Sequence, residues 1–298
     1  MGELHRDEFR AGQYFVGVAG MAMMRRILAR PSEGRPRLDD VRRVIAGFDE
    51  FPNDIVVEVV EHDLESGYER WAPSYDGHNP LIASEEPVVH PMLDALPPGR
   101  ALDAACGTGR HAGHLAALGH ETIGVDANHA MLRVARERFP AVDFRDGRLE
   151  SLPVPDDSID VVTCALALCH VADLGLAFAE LARVLRPGGV LVVSDPHPMA
   201  AQFGGVAGFP DRSQAPTEGF RLPFVENRPH PIHTYVNAAV GAGLRIEECV
   251  EVEFPEDALA ANPAAAVLPD AVRQAFGGLP FLLVWRCIKP GPLSSTRT

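Results

Sequence analysis

The chain has 298 residues, 46% of them hydrophobic and 23% charged, the composition of an ordinary soluble globule rather than a disordered or fibrous chain. Its 27 basic and 41 acidic side chains leave a net charge of −14, and with no basic stripe in view this argues against nucleic acid as a partner. Five cysteines (Cys106, Cys164, Cys169, Cys249 and Cys287) form no CxxC pair, so neither a disulfide framework nor a metal site is expected, and a reducing cytoplasm fits. The polar start MGELHRDEFR does not read as a signal peptide. The longest apolar run, Tyr14–Met24, is about half of the roughly 20 residues that a membrane span requires. A cytoplasmic protein with no membrane partner is the expectation.

In chain order, Phe9, Phe15, Val16, Ala19, Met23, Met24, Ile27 and Leu28 recur at near-helical spacing up to Pro31. The loop SEGRPR and a short helix over 38–48 follow, and DIVVEVVEHD, 54–63, reads as a strand or extended arm. ERWAPSYDGHNP, 69–80, is aromatic and turn-rich, and a helix is expected over 85–96. From residue 100 the order becomes regular: strands at 100–104, 122–126, 142–145, 159–168 and 190–195 alternate with helices at 111–118, 130–138 and 174–185. Such alternation with short links predicts a parallel sheet covered on both faces, with its site at the carboxyl ends of the strands. Residues 196–231 are rich in Pro, Gly, His and Phe without periodicity, as a functional loop or lid would be. A helix over 234–242 and strands over 244–254 and 281–289 follow, the strands separated by an Ala-rich helical insert at 256–277.

The most informative stretch is ALDAACGTGR, 101–110, a strand end running into a turn with Gly107 and Gly109 and then a helix. Gly107-Thr108-Gly109-Arg110-His111-Ala112 satisfies the GxGxxA form of the dinucleotide fingerprint, with Asp126 about 20 residues on. Asp103, however, stands where a pyrophosphate site keeps apolar residues, and a carboxylate there suits a cationic ligand with an ammonium group. Asp126, in IGVDAN, is placed to accept the hydroxyls of a ribose. A nicotinamide oxidoreductase stays open as a rival at this point.

The run LDAACGTG, followed by GVDAN, FRDGRLESLPVPDDSIDVVTCALALCHV and LRPGGVLVVSD, resembles the class I S-adenosylmethionine-dependent methyltransferases over about residues 68–255. The resemblance implies an α/β, Rossmann-like seven-stranded sheet with a terminal antiparallel strand and helices on both faces. To this are added an N-terminal helical extension and a cap after the fifth strand. It implies S-adenosyl-L-methionine as cofactor, with Gly107 and Gly109 approaching its methionine part, Asp103 holding the amino group and Asp126 the ribose. It also places Tyr75, Ala105, Ala127, Met131, Gly147, Leu149 and Ala165 around the cofactor. In YERWAPSYD, Tyr68, Trp71 and Tyr75 match an aromatic segment that folds over the cofactor in related enzymes. One position departs from the family. Where an Asp reaches the adenine in a GDxxxLP run, this chain has Gly147-Arg148, and arginine accepts no hydrogen bond. Either Asp146 substitutes, or the Arg148/Leu149 backbone holds the base.

Methyl transfer from a sulfonium needs positioning above all, and a general base only when the acceptor loses a proton. His170, in CALALCHV, and His197, in SDPHP, are the expected candidates, ahead of His230 and His233. The resulting expectation is a methyltransferase acting on a small, hydrophobic or aromatic molecule of secondary metabolism by O-, N- or C-methylation. Residues 1–70 form the extension, a lid or the contact of a homodimer. Residues 71–290 form the catalytic domain with cap 196–231, and 291–298 a frayed tail. The alternative is a same-fold protein, cyclase-type or regulatory, that binds the cofactor without transferring methyl.

Overall fold

In a computed structural model of the chain, the described residues are 3–28, 30–77, 79–202, 207–209, 220–228 and 230–291. The elements begin β1 (Glu3–Arg10), α1 (Ala11–Ile27), α2 (Pro31–Ala46), β2 (Val56–His62), α3 (Leu64–Trp71), α4 (Pro80–Asp94), β3 (Arg100–Ala104) and α5 (Arg110–Ala117). They continue β4 (Glu121–Asp126), α6 (His129–Arg138), β5 (Asp143–Asp146), β6 (Ile159–Ala165), α7 (Leu174–Val184), β7 (Leu185–Pro196) and α8 (Pro198–Gln202). The last are β8 (Ala207–Gly208), β9 (Phe220–Val225), α9 (Ile232–Gly241), β10 (Arg245–Glu253), α10 (Glu256–Ala261), α11 (Pro269–Phe276) and β11 (Pro280–Ile288). They sort into two compact units, neither continuous in sequence: 1–63 with 207–225 and 253–280, and 64–206 with 226–252 and the chain from 281 onward.

The larger unit holds a seven-stranded sheet in the order β10-β11-β7-β6-β3-β4-β5. The five strands from β7 to β5 are parallel, and β11 runs antiparallel to β7 with Leu283 opposite Asp195. Strand side chains alternate between faces, and both faces here are apolar. Leu191, Val193, Leu283 and Trp285 point to one side, where Phe178 and Leu181 of α7 and Ala239 of α9 cover them. Val190, Val192, Leu282 and Val284 point to the other, against Val89 and Leu93 of α4 and Leu115 of α5. The expected sheet and its antiparallel strand are therefore present, and the strand and helix bounds from 100 to 184 agree within a residue or two in every element but one. The expected fourth strand, 159–168, is shorter: it ends at Ala165, because Leu166 turns the chain at φ +54° into a 3-10 turn over Leu168–His170.

The smaller unit departs further from the sequence reading. Its sheet has the order β1-β2-β9-β8, with β1 antiparallel and β9 parallel to β2. The N-terminal segment thus contributes two strands: β2 falls within 54–63, expected as a strand or extended arm, whereas β1 was not expected, and Phe9 lies in it rather than in the first helix. SEGRPR is the first part of α2, not a loop, because Pro31 occupies N1, where its missing N–H costs nothing. Part of the expected cap is strand β9, while 203–206 and 210–219 lie outside the described residues. Helices α1 and α11 share a core of Phe15, Val18, Ala19, Ala22, Ala271, Val272 and Ala275. The Arg25 guanidinium donates to the carbonyls of Gln274, Ala275 and Gly277 at 3.2, 2.8 and 3.0 Å, capping the C-terminus of α11. Among the described residues, no helix is long and apolar enough to cross a membrane.

Candidate functional site

The strand order fixes where a ligand belongs. Strand β3 pairs with β4 on one side and β6 on the other, so the chain order reverses between β3 and β6. In an open parallel sheet the crevice lies at such a reversal, outside the carboxyl ends of the strands. The turn after β3 and the segment after β6 are its two walls.

On the first wall the backbone bends sharply. Ala105, Gly107 and Gly109 have φ of +60°, +53° and +83°. The Gly109 N–H closes the turn on the Cys106 carbonyl at 2.8 Å, and α5 starts one residue later. The two glycines do different work. A Cβ on Gly109 would meet Phe144 Cζ at 2.9 Å and Phe139 Cδ2 at 3.1 Å, whereas a Cβ on Gly107 would meet no described atom within 4 Å. Gly109→Ala should therefore lower stability by about 1–3 kcal/mol, seen as a fall in Tm. Gly107→Ala should cost only the ~1–2 kcal/mol of a left-handed Ala while obstructing a ligand on the turn, so cofactor affinity falls further than Tm. Equal effects on Tm and affinity in both variants would contradict this division.

Asp103 is the fourth residue of β3, buried on the α5 face, where its Oδ2 accepts the Ala112 N–H at 2.8 Å. Burial pushes its carboxyl up to about 6, against the pull of His111, the Ala112 N–H and Arg110. Asp126 ends β4, half-buried. Its Oδ2 accepts the Gly107 N–H and its Oδ1 the Asn128 N–H, each at 2.8 Å. Burial raises its pKa as well, opposed by the N–H groups of Asn128, Gly107 and Ala127. Asp126 is therefore hydrogen-bonded to the glycine turn itself, and Asp103 to the helix that follows it.

Two acidic residues absent from the expected site complete this wall. Asp76, next to Tyr75, accepts from Thr108 Oγ1 at 2.8 Å and pairs with Arg138 at 2.7 Å, docking the YDG segment on the glycine turn. Glu85 of α4 is fully buried and holds the start of α5. Arg110 Nη1 lies 2.5 Å from its Oε2, and His111 Nε2 and Ser194 Oγ lie 2.9 and 2.7 Å from its Oε1. Burial alone would push Glu85 up, but His111, Arg110 and Ser194 outweigh it and hold the carboxyl at about 2. Beside it His90 stacks on His114, centroids 3.8 Å apart.

The remaining expected residues fall in four places. Tyr75 meets Trp71 edge-on at 4.9 Å and packs with Tyr68, Ala130 and the buried Met131, and burial raises its hydroxyl to about 12. Ala127 is exposed just after β4, and Ala165 is half-buried at the end of β6. Gly147 donates to the Asp126 carbonyl at 3.1 Å, where a Cβ would meet Pro153 and Val125 at 2.7 and 2.8 Å. Leu149 is buried in the sheet core, whereas the Arg148 side chain is exposed beside Glu150 and Asp146 pairs with His129 at 3.1 Å.

The two histidines differ. His197 is buried, its Nδ1 accepting the Met199 N–H at 3.2 Å and its Nε2 facing Glu251 at 3.1 Å, so both ring nitrogens are engaged within the fold. His170 ends the 3-10 turn on the second wall of the crevice, with Nε2 2.8 Å from the Tyr68 hydroxyl and Nδ1 3.2 Å from the Glu226 carbonyl.

A seven-stranded sheet of this order, with an acid before a glycine turn and a second acid ending the next strand, defines the class I methyltransferase fold. Residues 102–193 match the methyltransferase domain family, and this part of the chain is similar to the class I S-adenosylmethionine-dependent methyltransferases. A demethylmenaquinone methyltransferase of Renibacterium salmoninarum is 36% identical over 138 residues, 44% of this chain and 58% of that protein. A malonyl-[acyl-carrier protein] O-methyltransferase of Yersinia pestis is 42% identical over 93 residues, 31% of this chain and 35% of its own. This chain thus spans between a third and about three-fifths of these two curated relatives. An S-adenosylmethionine-dependent methyltransferase structure from Mesorhizobium loti aligns with a TM-score of 0.50 at 25% identity, over 72% of this chain and 99% of its own. S-adenosylmethionine is the cofactor of this domain class, and the residues present fit it. Gly107 leaves open space above a left-handed turn, and Asp103 places a buried carboxyl at the end of the strand that leads into it.

Proposed function

We propose that this protein transfers the methyl group of S-adenosylmethionine to a small molecule. The observation that carries this reading is the buried Asp103 beside the open Gly107 turn, at the sheet's reversal point, with Asp126 hydrogen-bonded to the same turn. On this reading Asp103 attracts the amino group, Gly107 and Gly109 admit the methionine chain, and Asp126 accepts the ribose hydroxyls through its remaining lone pairs. Adenine lies along Gly147–Leu149, its amino group bonded by backbone, since Arg148 is exposed and Asp146 is paired with His129. Tyr75 and Met131 close over the cofactor from the α3 and α6 side.

A pyrophosphate at this turn would place two negative charges near Asp103, which disfavours a nicotinamide cofactor. The relatives named for demethylmenaquinone and for malonyl-acyl carrier protein support methyl transfer as the reaction and differ in what they methylate. The net charge of −14 supports a small acceptor over a nucleic acid. Of the histidines, the base role fits His170, on the crevice wall, better than His197, held between Met199 and Glu251.

The test is calorimetry with S-adenosylhomocysteine against NAD and NADP, followed by mass spectrometry of candidate acceptors for the gain of one methyl group. Binding of the homocysteine alone and a methylated product, absent in Asp103→Ala, are expected. Binding of NAD(P) without the homocysteine would overturn the reading.

A further inference from the structure

The second wall of the crevice carries a hydrogen-bonded pair that binding the cofactor does not require. Tyr68, on α3, is stacked on Trp71 with centroids 5.6 Å apart and meets His170 edge-on at 5.4 Å, so its ring is fixed. A backbone carbonyl can only accept, so the 3.2 Å contact with Glu226 places a proton on His170 Nδ1. Nε2 then presents its lone pair to the Tyr68 O–H, 2.8 Å away. The phenolic oxygen keeps lone pairs for another donor. Tyr68 packs with Tyr75 and with Met131 of α6, and its hydroxyl reaches His170 in the turn after β6, so it touches both sides of the crevice.

We propose that Tyr68 and His170 form a proton relay for an acceptor methylated on an oxygen that starts out protonated, a phenol or enol. This rests on the methyl transfer proposed above and adds the substrate class. As the acceptor oxygen attacks, its O–H proton passes to the Tyr68 oxygen and the Tyr68 proton to His170 Nε2. The carbon–sulfur bond breaks with its electron pair on sulfur, leaving a neutral thioether, an ether and an imidazolium. One positive charge thus moves from sulfur to the ring, and no other reactant is needed. Burial, with Arg228 acting in the same direction, holds His170 down at about 4 despite the Glu226 carbonyl, so the ring is neutral when the reaction starts. A sulfonium in the crevice disfavours an imidazolium further, and that repulsion vanishes as the methyl departs, which couples the two transfers. An amine acceptor attacks with a free lone pair and needs no relay.

Two measurements test this on the full chain. The first is an imidazole-nitrogen NMR titration of the protein saturated with S-adenosylmethionine or with S-adenosylhomocysteine, His170 being assigned with His170→Gln. The relay requires the Nδ1–H tautomer and a His170 protonation at least threefold weaker with the sulfonium than with the thioether. Equal titrations, or the other tautomer, overturn it. The second is methyl transfer to a library of matched phenols and anilines. Phenols alone should be methylated. Tyr68→Phe and His170→Gln should lower kcat by about 10²- to 10³-fold with homocysteine affinity kept within threefold, and the loss should shrink for more acidic phenols. Methylation of anilines alone, or kcat within threefold of the parent, overturns the proposal. The titration needs no acceptor, so it decides even where no library member reacts. Failure of S-adenosylhomocysteine to bind at all would instead count against the underlying cofactor reading.

Discussion

Replacing Asp103 with asparagine is expected to weaken S-adenosylhomocysteine binding by about 10- to 100-fold, the scale of one charge-assisted hydrogen bond, and to flatten its pH dependence. The carboxyl is buried, and burial has pushed it up to about 6. Below that value it is protonated and offers no charge to an ammonium. Affinity in the parent protein should therefore fall about tenfold between pH 7 and pH 5, because only a tenth of Asp103 remains ionised at pH 5. The asparagine variant should show no such slope. The sign for stability is opposite. A carboxyl raised above its unfolded value of 3.8 holds its proton more tightly in the folded state, so the ligand-free protein loses stability as pH rises from 4 to 6. A cationic ligand then restores part of it, and the Tm gain on adding S-adenosylhomocysteine should be larger at pH 7 than at pH 5. A gain independent of pH would remove Asp103 from the site.

Glu85→Gln should cost about 3–5 kcal/mol, the loss seen when one partner of a buried ion pair is removed and the other charge stays behind. Glu85 is inaccessible, and the guanidinium it holds, Arg110, is itself 14% exposed at the side chain. Both tryptophans, Trp71 and Trp285, lie in the unit that contains Glu85, so their fluorescence during urea unfolding reports the relevant transition. The pH dependence has the usual sign for a depressed acid. Its contribution is complete above the unfolded value of 4.5 and disappears as pH falls toward about 2. The variant should therefore differ most from the parent near neutrality and least at pH 2–3. A loss below about 1 kcal/mol at pH 7 would mean that α5 starts where it does without this acid.

These two residues show what could be read from the chain beforehand. Asp103 is legible because its meaning is local: it sits four residues before a glycine in an apolar strand. The same holds for the sheet from 100 to 184, where Gly and Pro mark the turns and the central strands β3, β4 and β6 are largely apolar runs between short helices. Glu85 and Asp76 carry no such mark. Their partners Arg110 and Thr108 are 25 and 32 residues away, and a buried acid on a helix looks locally like any exposed one. Strands β1 and β9 of the smaller unit were hidden for a related reason. ELHRDEFR has no alternation of apolar and polar residues, since β1 is a charged, solvent-exposed edge strand defined by its pairing with β2. Strand β9 takes its place through a parallel register with β2, Val57 opposite Phe220, that no window of neighbouring residues contains.

The discontinuity of that unit has a consequence during synthesis. Helix α1 shares its apolar face with α11, and Arg25 bonds to a carbonyl 250 residues further along. At about 5–20 residues per second, α1 leaves the ribosome tens of seconds before its partner exists. Through that interval Phe15, Val18 and the edge of β2 are uncovered, which invites pairing with other nascent chains. The methyltransferase sheet faces a shorter wait, since β3 to β7 emerge consecutively. Expression yield should therefore be limited by the α1–β2 segment, and it should respond to trigger factor or lower temperature more than to substitutions in the glycine turn.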